Sequence, residues 1–229
     1  MLSLKLSLLV LILILTSTLS SAQHRKAPAG GKLAVVVDER LSAVRETPDL
    51  RGKLVRRLGR GRLVAIRSVK TSRDGIVFYS VNVTSRTHGW IQGEAVVSAW
   101  RIGDDERLFE LIERSSDFER IARARIFLDH FVKSGFRGRV LLLLSDAAEE
   151  ASAKLTRDAA KRVDTNAPIR SYFLNYVGLD RYNRQGVSFV FDERGNRLHY
   201  DGAALRELVR RYPKSKEADE ARGRLIERQ

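Results

Sequence analysis

Three short segments punctuate the stretch from Leu41 to Val97: LSAVRETP at 41–48, RGRLVAI at 60–66 and GWI at 89–91. Around them, β-branched and aromatic runs alternate with turn residues such as Asp74-Gly75 and His88-Gly89. The runs predict strands, and the glycine, proline and aspartate residues between them predict turns. Short strands separated by turns at intervals of about a dozen residues indicate a small antiparallel barrel or meander.

We expect strands at 33–37, 53–58, 63–69, 76–83 and 90–92. Phe78 and Trp90 are large apolar side chains on these strands, so both are expected to contribute to a core. Gly61 and Gly89 suit turns that need a positive φ or a close backbone approach. Core packing and turn geometry in the sheet account for these residues without a ligand.

The order of these segments resembles that of a bacterial Src-homology-3-like domain. The residues that carry the resemblance are Val44-Arg45 with Pro48, Arg60-Gly61, Phe78-Tyr79-x-Val81 and Gly89-Trp90-Ile91. The resemblance implies a small β-barrel at about 33–101. It also implies recognition of peptidoglycan or another cell-wall component, or a role as a protein-interaction spacer. The sequence departs from the family pattern at Glu46-Thr47 and in a longer loop, residues 84–88, and both departures lie where a ligand loop is expected.

The N-terminal segment is typical of an export signal. Residues 1–22 contain one cation, Lys5, an apolar run at 8–15 and small residues that end at Ala22. The run is shorter than the roughly 20 residues that cross a bilayer, and its small residues fit a signal-peptidase site. We expect a cleaved signal peptide at 1–22 and an exported protein, periplasmic or extracellular, with no membrane span in the mature chain. An uncleaved N-terminal anchor is the alternative. Residues 23–32 are typical of a flexible spacer.

Composition limits the chemistry and locates the charge. The chain has 229 residues, no cysteine and a net charge of +14. Without cysteine there are no disulfides, thiol nucleophiles, cysteine-bound zinc ions or iron–sulfur clusters. Residues 23–101 contain 16 Lys or Arg and six Asp or Glu, whereas residues 102–229 have a net charge of only +3. A cationic region favours anionic polymers as partners, although a well-hydrated surface explains the charge equally well.

Nine cations fall within 23 residues that contain no acid. They are Arg51, Lys53, Arg56, Arg57, Arg60, Arg62, Arg67, Lys70 and Arg73. Because side chains alternate faces along a strand, several of them must share the outer surface of the sheet. No aromatic residue alternates with them, as a stacking platform for bases would require, so nucleic acid is not expected as a partner.

From Gly103 onward the apolar period becomes helical. We expect helices at 104–114, at 118–133 with Asp117 as the N-cap, at 139–162 and at 171–177, then a connection at 179–185. A β-hairpin is expected at 187–200 with Gly195 in its turn, followed by helices at 203–212 and 216–228 with Ser215 as the N-cap of the last. The predicted fold class is α+β and multidomain, with a small Src-homology-3-like β-barrel at 33–101 and a mainly α-helical domain at 104–229 that contains the hairpin.

The last helical pair resembles a second family. Tyr212-Pro213-Lys214-Ser215 is similar to the Tyr-Pro-x-Ser junctions of tetratricopeptide-like envelope proteins. The resemblance covers about 25 residues, and it implies a helical hairpin without implying a function. A set of three stacked repeats, which such arrays usually need, is not evident.

The sequence lacks a set of catalytic residues. The four histidines are isolated, without the spacing that would place two metal ligands on one helical face. Nucleophile-elbow, Walker and dinucleotide-binding glycine motifs are absent. Asp104-Asp105-Glu106 and Glu149-Glu150 could be paired carboxylates, but neighbouring helical positions diverge by about 100°, so a helix N-terminus and a solvated face explain them better. We therefore expect a protein that is not an enzyme and uses no cofactor or metal.

These observations favour an exported, non-enzymatic binding and scaffolding protein of the bacterial cell envelope. The expected ligand is a cell-wall peptide or glycan, or a protein partner. Arg45, Tyr79 and the exposed edge of Trp90 are the candidate groove residues, with Arg60 and Arg62 from the cationic stripe. Two alternatives stay open: an envelope assembly factor that acts through its helical domain, and an electrostatic binder of anionic polymer.

Overall fold

The computed structural model describes residues 30–160 and 178–227. The predicted signal peptide, most of the predicted spacer and the helix expected at 171–177 lie outside the described residues. Within them the protein has a mixed α+β fold: a seven-stranded antiparallel sheet, α-helices and a separate two-stranded hairpin. In this part of the chain, none of the helices combines the length and the apolar character needed to cross a bilayer.

The sheet occupies the N-terminal part of the chain. Its strands are β1 (Lys32–Val36), β2 (Ala43–Arg45), β3 (Leu54–Arg57), β4 (Leu63–Thr71), β5 (Val77–Asn82), β6 (His88–Gln92) and β7 (Val96–Val97). Their spatial order is β3-β2-β6-β5-β4-β1-β7. The strands expected from the turn residues are present, with shifted ends. The sequence did not predict β2 and β7, which have three and two residues and are too short to show a period.

Strand β1 is buried on both faces because it lies between two cores. Ala34 and Val36 pack in the sheet core with Val64, Val81 and Ile91. The alternate residues Val35 and Val37 pack instead among the helices. The run from Leu33 to Val37 is apolar throughout, as expected for a strand that buries both of its faces.

Within the described residues, six α-helices and the hairpin follow the sheet. They are α1 (Asp104–Glu113), α2 (Asp117–His130), α3 (Arg137–Ala160), α4 (Leu179–Asn183), β8 (Phe189–Asp192), β9 (Arg197–Tyr200), α5 (Ala203–Arg211) and α6 (Lys216–Ile226). Their apolar stripes meet in one core, which includes Leu108, Phe127, Leu141 and Leu205. The expected N-cap Ser215 is observed, and its hydroxyl accepts a hydrogen bond from the Ala218 N–H at 3.1 Å.

Two local predictions were wrong. Asp117 is not the N-cap of α2: the cap position is Ser116, and Asp117 is the first helical residue. Residues 179–183 form the short helix α4 rather than a connection. Gly195 lies in the hairpin turn as predicted, and the left-handed position next to it belongs to Asn196, with φ 46°. Asparagine tolerates this region because its short polar side chain can hydrogen-bond locally.

Asp104 joins the sheet to the helices. Its buried carboxylate accepts a hydrogen bond from the Ser98 N–H at 2.8 Å and lies 3.5 Å from Arg107 Nε. Arg107 in turn donates to the carbonyls of Glu94 and Val96, just before and within β7. Asp104, the first residue of helix α1, therefore fixes the position of this helix against β7.

Candidate functional site

Trp90 and Arg45 are direct cross-strand neighbours. Arg45 on β2 pairs with Trp90 on β6, and Trp90 pairs on its other side with Ser80 on β5. Directly paired residues of an antiparallel sheet share a face, so these three side chains lie on the same side. Trp90 is half-buried, which leaves part of its ring at the surface.

Gly89 permits this pairing. A Cβ at this position would lie 2.6 Å from the Arg45 carbonyl oxygen and 2.7 Å from Val44 Cγ1. Such contacts are too short for any other residue, so the close approach of β6 to β2 requires glycine. Strand spacing, rather than ligand contact, explains the glycine of the Gly-Trp-Ile segment.

A surface cavity of about 630 Å³ surrounds the exposed edge of Trp90. We call it the Trp90 cavity, and it is lined by Glu46, Val55, Arg56, Ser80, Arg86, Thr87, His88, Gly89 and Trp90. Arg56 and Arg86 are exposed, and neither has an ion pair within the described residues. The acid in this lining, Glu46, pairs with Lys53 at 3.2 Å. The cavity thus combines an indole, two guanidinium groups that remain available and an imidazole.

Residues 86–88 form one wall of this cavity, and they belong to the loop at 84–88 that lengthens the family pattern. The Thr84 hydroxyl accepts hydrogen bonds from the N–H groups of Thr87 at 3.0 Å and Arg86 at 3.3 Å. The Val83 N–H donates to the Thr87 carbonyl at 2.8 Å, which closes the loop. These bonds fix the backbone that carries Arg86 and His88 beside Trp90.

Arg45 adjoins the Trp90 cavity without lining it. Its Nη1 donates to the Gly52 carbonyl at 2.8 Å, so its guanidinium group is turned toward the loop between β2 and β3. Arg45 therefore supports the neighbouring loop, which also positions Glu46, and its guanidinium group is not part of the cavity lining.

Tyr79 lies on the opposite face of the sheet from Trp90. It pairs with Ile91, packs in the sheet core and is 7% exposed. Tyr79 and Ser80 are successive residues on β5, so their side chains point to opposite faces. The structure therefore does not bring Tyr79 together with Trp90.

Arg60 and Arg62 also lie away from the Trp90 cavity. Arg60 forms an ion pair with Glu119 on helix α2, and its backbone N–H donates to Glu39 Oε1 at 2.8 Å. Arg62 Nη2 donates to the Val83 carbonyl at 3.2 Å. Both side chains are half-buried and form contacts within the fold.

Arg60 belongs to an ionic cluster between the sheet and α2. At its centre Arg123, 4% exposed, donates to the Val37 carbonyl at 3.3 Å and to Glu119 Oε2 at 3.3 Å. Its Nη2 lies 4.0 Å from Asp38 Oδ2. The hydrogen bonds from Arg40 hold the pKa of Asp38 below its ordinary value, and burial lowers the pKa of Arg123. These contacts explain the cluster as a structural link between the sheet and α2.

A second cavity, of about 550 Å³, was not predicted from the sequence. We call it the Trp100 cavity, and it is lined by Gly30, Gly31, Lys32, Ile66, Arg67, Ser68, Val69, Tyr79, Trp100 and Arg101. Lys32 Nζ lies 4.3 Å from the Trp100 ring centroid, and Arg101 Cζ lies 5.2 Å from that of Tyr79. Both distances fit cation–π contacts. The signal in the sequence was Trp100 next to the cation Arg101, just after β7.

No family model, curated protein or solved structure matches this chain. The resemblance to Src-homology-3-like and tetratricopeptide-like families therefore rests on the residues themselves. Two cavities lie on the sheet, and each is lined by a tryptophan and by cations.

Proposed function

We propose that this protein is an exported, non-enzymatic binding protein of the bacterial cell envelope. In this proposal residues 33–101 are a Src-homology-3-like module, the Trp90 cavity recognises an anionic cell-wall peptide, and residues 104–229 position the module against envelope partners. The observation that carries the proposal is the convergence of Arg56, Arg86 and His88 on the exposed edge of Trp90.

The chemistry of the cavity fits a short peptide with free carboxylates. An indole offers a broad apolar surface with one polar edge, which suits an extended peptide backbone. Guanidinium groups bind carboxylates through paired hydrogen bonds. Cell-wall stem peptides are short and carry free carboxylates, so they offer both kinds of contact. The volume of about 630 Å³ lies within the usual range of ligand sites.

Cosedimentation with purified sacculi at low salt tests the ligand. The full chain is expressed with its own N-terminal segment, so that any export and processing occur before purification. We expect the protein to pellet with the sacculi and Trp90→Ala to remain in the supernatant. Trp100→Ala, which changes the other exposed tryptophan, is the matched control and should pellet like the wild type. Wild-type protein that stays in the supernatant, or equal binding by Trp90→Ala, would exclude this ligand site.

The export component has its own test. Cell fractionation should place the protein outside the cytoplasm, and mass spectrometry should find a mature chain that starts at Gln23. A cytoplasmic protein would contradict export. An exported chain that still begins at Met1 would instead support the N-terminal anchor.

A second candidate function is electrostatic binding of an anionic polymer. The observation that favours it is that seven of the nine clustered cations are exposed: Arg51, Lys53, Arg56, Arg57, Arg67, Lys70 and Arg73. Counterion release would make the affinity for polyphosphate fall steeply as salt rises. A flat salt profile would exclude this function, whereas tight binding to sacculi at high salt would favour the Trp90 cavity.

A further inference from the structure

Strand β4 extends beyond its partner β1. The pairing of β1 with β4 runs from Val35 opposite Leu63 to Lys32 opposite Ile66. On its other side β4 remains paired with β5 as far as Thr71 opposite Val77. Within residues 30–160 and 178–227, the β1 side of residues 67–71 therefore has no strand partner.

This free segment, which we call the β4 edge, is exposed along its length. Val69 is 63% exposed although it is apolar, and Arg67 and Lys70 are exposed beside it. An unpaired strand edge presents backbone N–H and C=O groups that can pair with another chain. Cationic side chains on such an edge oppose pairing with a strand of like charge, whereas opposite charges on directly paired strands attract each other.

The Trp100 cavity lies beside the β4 edge. Arg67, Ser68 and Val69 form one wall, while Trp100, 44% exposed, and Lys32 lie among the other residues that line it. Among the described residues, no acid lines the cavity. In the same part of the chain Lys32 and Arg67 have no ion pair, while Arg101 lies 3.7 Å from Asp104. Two cations are therefore available next to an unpaired strand and an exposed indole.

We propose that the β4 edge and the Trp100 cavity together bind an extended acidic peptide from a protein partner. The peptide adds a strand to β4, its carboxylates face Lys32 and Arg67, and an apolar side chain packs between Val69 and Trp100. Strand addition of this kind draws affinity from main-chain hydrogen bonds and specificity from alternate side chains. The site is separate from the Trp90 cavity and does not depend on the ligand proposed there.

A peptide fits better than other anions. An anionic glycan or polyphosphate could neutralise Lys32 and Arg67, but it has no regular row of N–H and C=O groups to pair with β4. The preceding segment of this chain, residues 23–29, contains Arg25 and Lys26 and no acid. It therefore has the same charge as the edge, and Pro28 lacks an N–H to donate. Charge complementarity points to an acidic segment of a partner.

Peptide binding to the full chain tests the proposal. The probe is a synthetic peptide of alternating valine and glutamate. A second probe has the same sequence with alternate backbone nitrogens methylated, which keeps the charge and removes the strand hydrogen bonds. We expect saturable binding of the first peptide and affinity lower by about tenfold or more for the methylated one, because main-chain bonds carry the affinity. Hydrogen exchange should show the unmodified peptide protecting backbone amides between Arg67 and Thr71.

Substitutions test which residues form the peptide site. Trp100→Ala and the double variant Lys32→Glu/Arg67→Glu should each weaken binding about tenfold or more, because each removes contacts at the centre of the site. Arg57→Glu changes an exposed cation of β3 that lines neither cavity, and it should retain affinity within about twofold. Trp90→Ala should bind normally.

Three results would overturn the proposal. Equal affinity of the two peptides would mean that charge alone holds them. An equal decrease in affinity in Arg57→Glu and the double variant would remove the site assignment. Amides at the β4 edge that are already protected without peptide, together with no binding, would show that the edge is covered by this chain itself.

Discussion

The sheet and the helices use arginine in different ways. Several arginines on or next to the helices form an ion pair with an acid one turn away, as in Arg114 with Glu110 and Arg211 with Glu207. On the sheet, exposed cations such as Arg56, Arg67 and Lys70 have no ion pair within the described residues. Exposed pairs add little stability, so the main effect of pairing is local neutralisation. These helical arginines are neutralised locally, whereas the exposed cations of the sheet keep their charge available to an external anion.

The cluster at Arg123 lies where these two regions meet. There Arg60, from the turn between β3 and β4, and the helical Arg123 share the acid Glu119, while the loop after β1 contributes Asp38. Burial separates this cluster from the exposed cations, since Arg123 is 4% exposed. The two regions should therefore respond differently when an arginine is removed.

The largest decrease in the free energy of unfolding is expected from Arg123→Ala. The substitution removes hydrogen bonds to the Val37 carbonyl and Glu119 and leaves the buried Asp38 with Arg40 alone. Breaking a buried ionic cluster by removing one member costs about 3 kcal/mol, the lower end of the usual range because Asp38 and Glu119 each keep another partner. Urea denaturation measures the free energy of unfolding.

Arg57→Ala is the matched control from the sheet. Arg57 is exposed and has no ion pair within the described residues, so its removal should change the free energy of unfolding by about 0.5 kcal/mol or less. Equal destabilisation by the two substitutions would contradict the distinction between a structural arginine and an available one.

The next largest effect is expected from Gly89→Ala. The new methyl group would meet the Arg45 carbonyl oxygen at 2.6 Å, and a backbone atom cannot move away cheaply. Separation of β6 from β2 should cost about 2 kcal/mol, typical of overpacking, and should weaken binding at the Trp90 cavity. The control is Gly135→Ala, where a Cβ meets nothing within 4 Å and φ is not positive. A Gly89→Ala variant as stable as the control would show that the strands can shift apart freely.

A smaller effect is expected when exposed cations are neutralised. Lys70→Gln with Arg73→Gln should lower the slope of log affinity against log salt for polyphosphate by roughly two, one for each phosphate that is no longer neutralised. Arg114→Gln with Arg211→Gln should leave the slope unchanged, because Glu110 and Glu207 already neutralise these arginines. Isothermal titration at several salt concentrations measures both slopes. Equal changes in the two double variants would mean that pairing does not decide which arginines are available.

Much of the fold follows from local patterns, while the contacts between elements do not. Turn residues between β-branched runs located β3 to β6, and Ser215 located the start of α6. The run from Leu33 to Val37 predicted a strand, but its two-sided burial depends on helices that follow much later in the chain. Whether 33–101 and 104–229 are separate domains stays a prediction, although β1 contributes to both cores.

The candidate sites show the same limit. Sequence placed the loop at 84–88 before Trp90, and the hairpin between β5 and β6 brings them together. Tyr79 and Trp90 lie on opposite faces because strand register decides which face a residue occupies, and register is not visible in a single sequence. The Trp100 cavity joins Lys32, Arg67 and Trp100, which are far apart in the chain and come together only through the order of strands in the sheet.

The smallest change in the free energy of unfolding is expected from pH. It depends on a single histidine, His130, where the helices meet the sheet. His130 ends helix α2 and, with Asp129, lines a cavity of about 420 Å³ against β1, β7 and Trp100. Burial lowers the pKa of His130, opposed in part by the charge of Asp129. The unfolded chain therefore binds more protons just below the ordinary histidine pKa of about 6.5, so stability is full above that pH and falls as the pH drops toward the folded pKa.

Urea titrations across this range should show the decline in the wild type and not in His130→Gln. His199→Gln, which removes an exposed histidine on β9, is the matched control. Equal changes in the two variants would show that the decline does not arise where the helices meet the sheet.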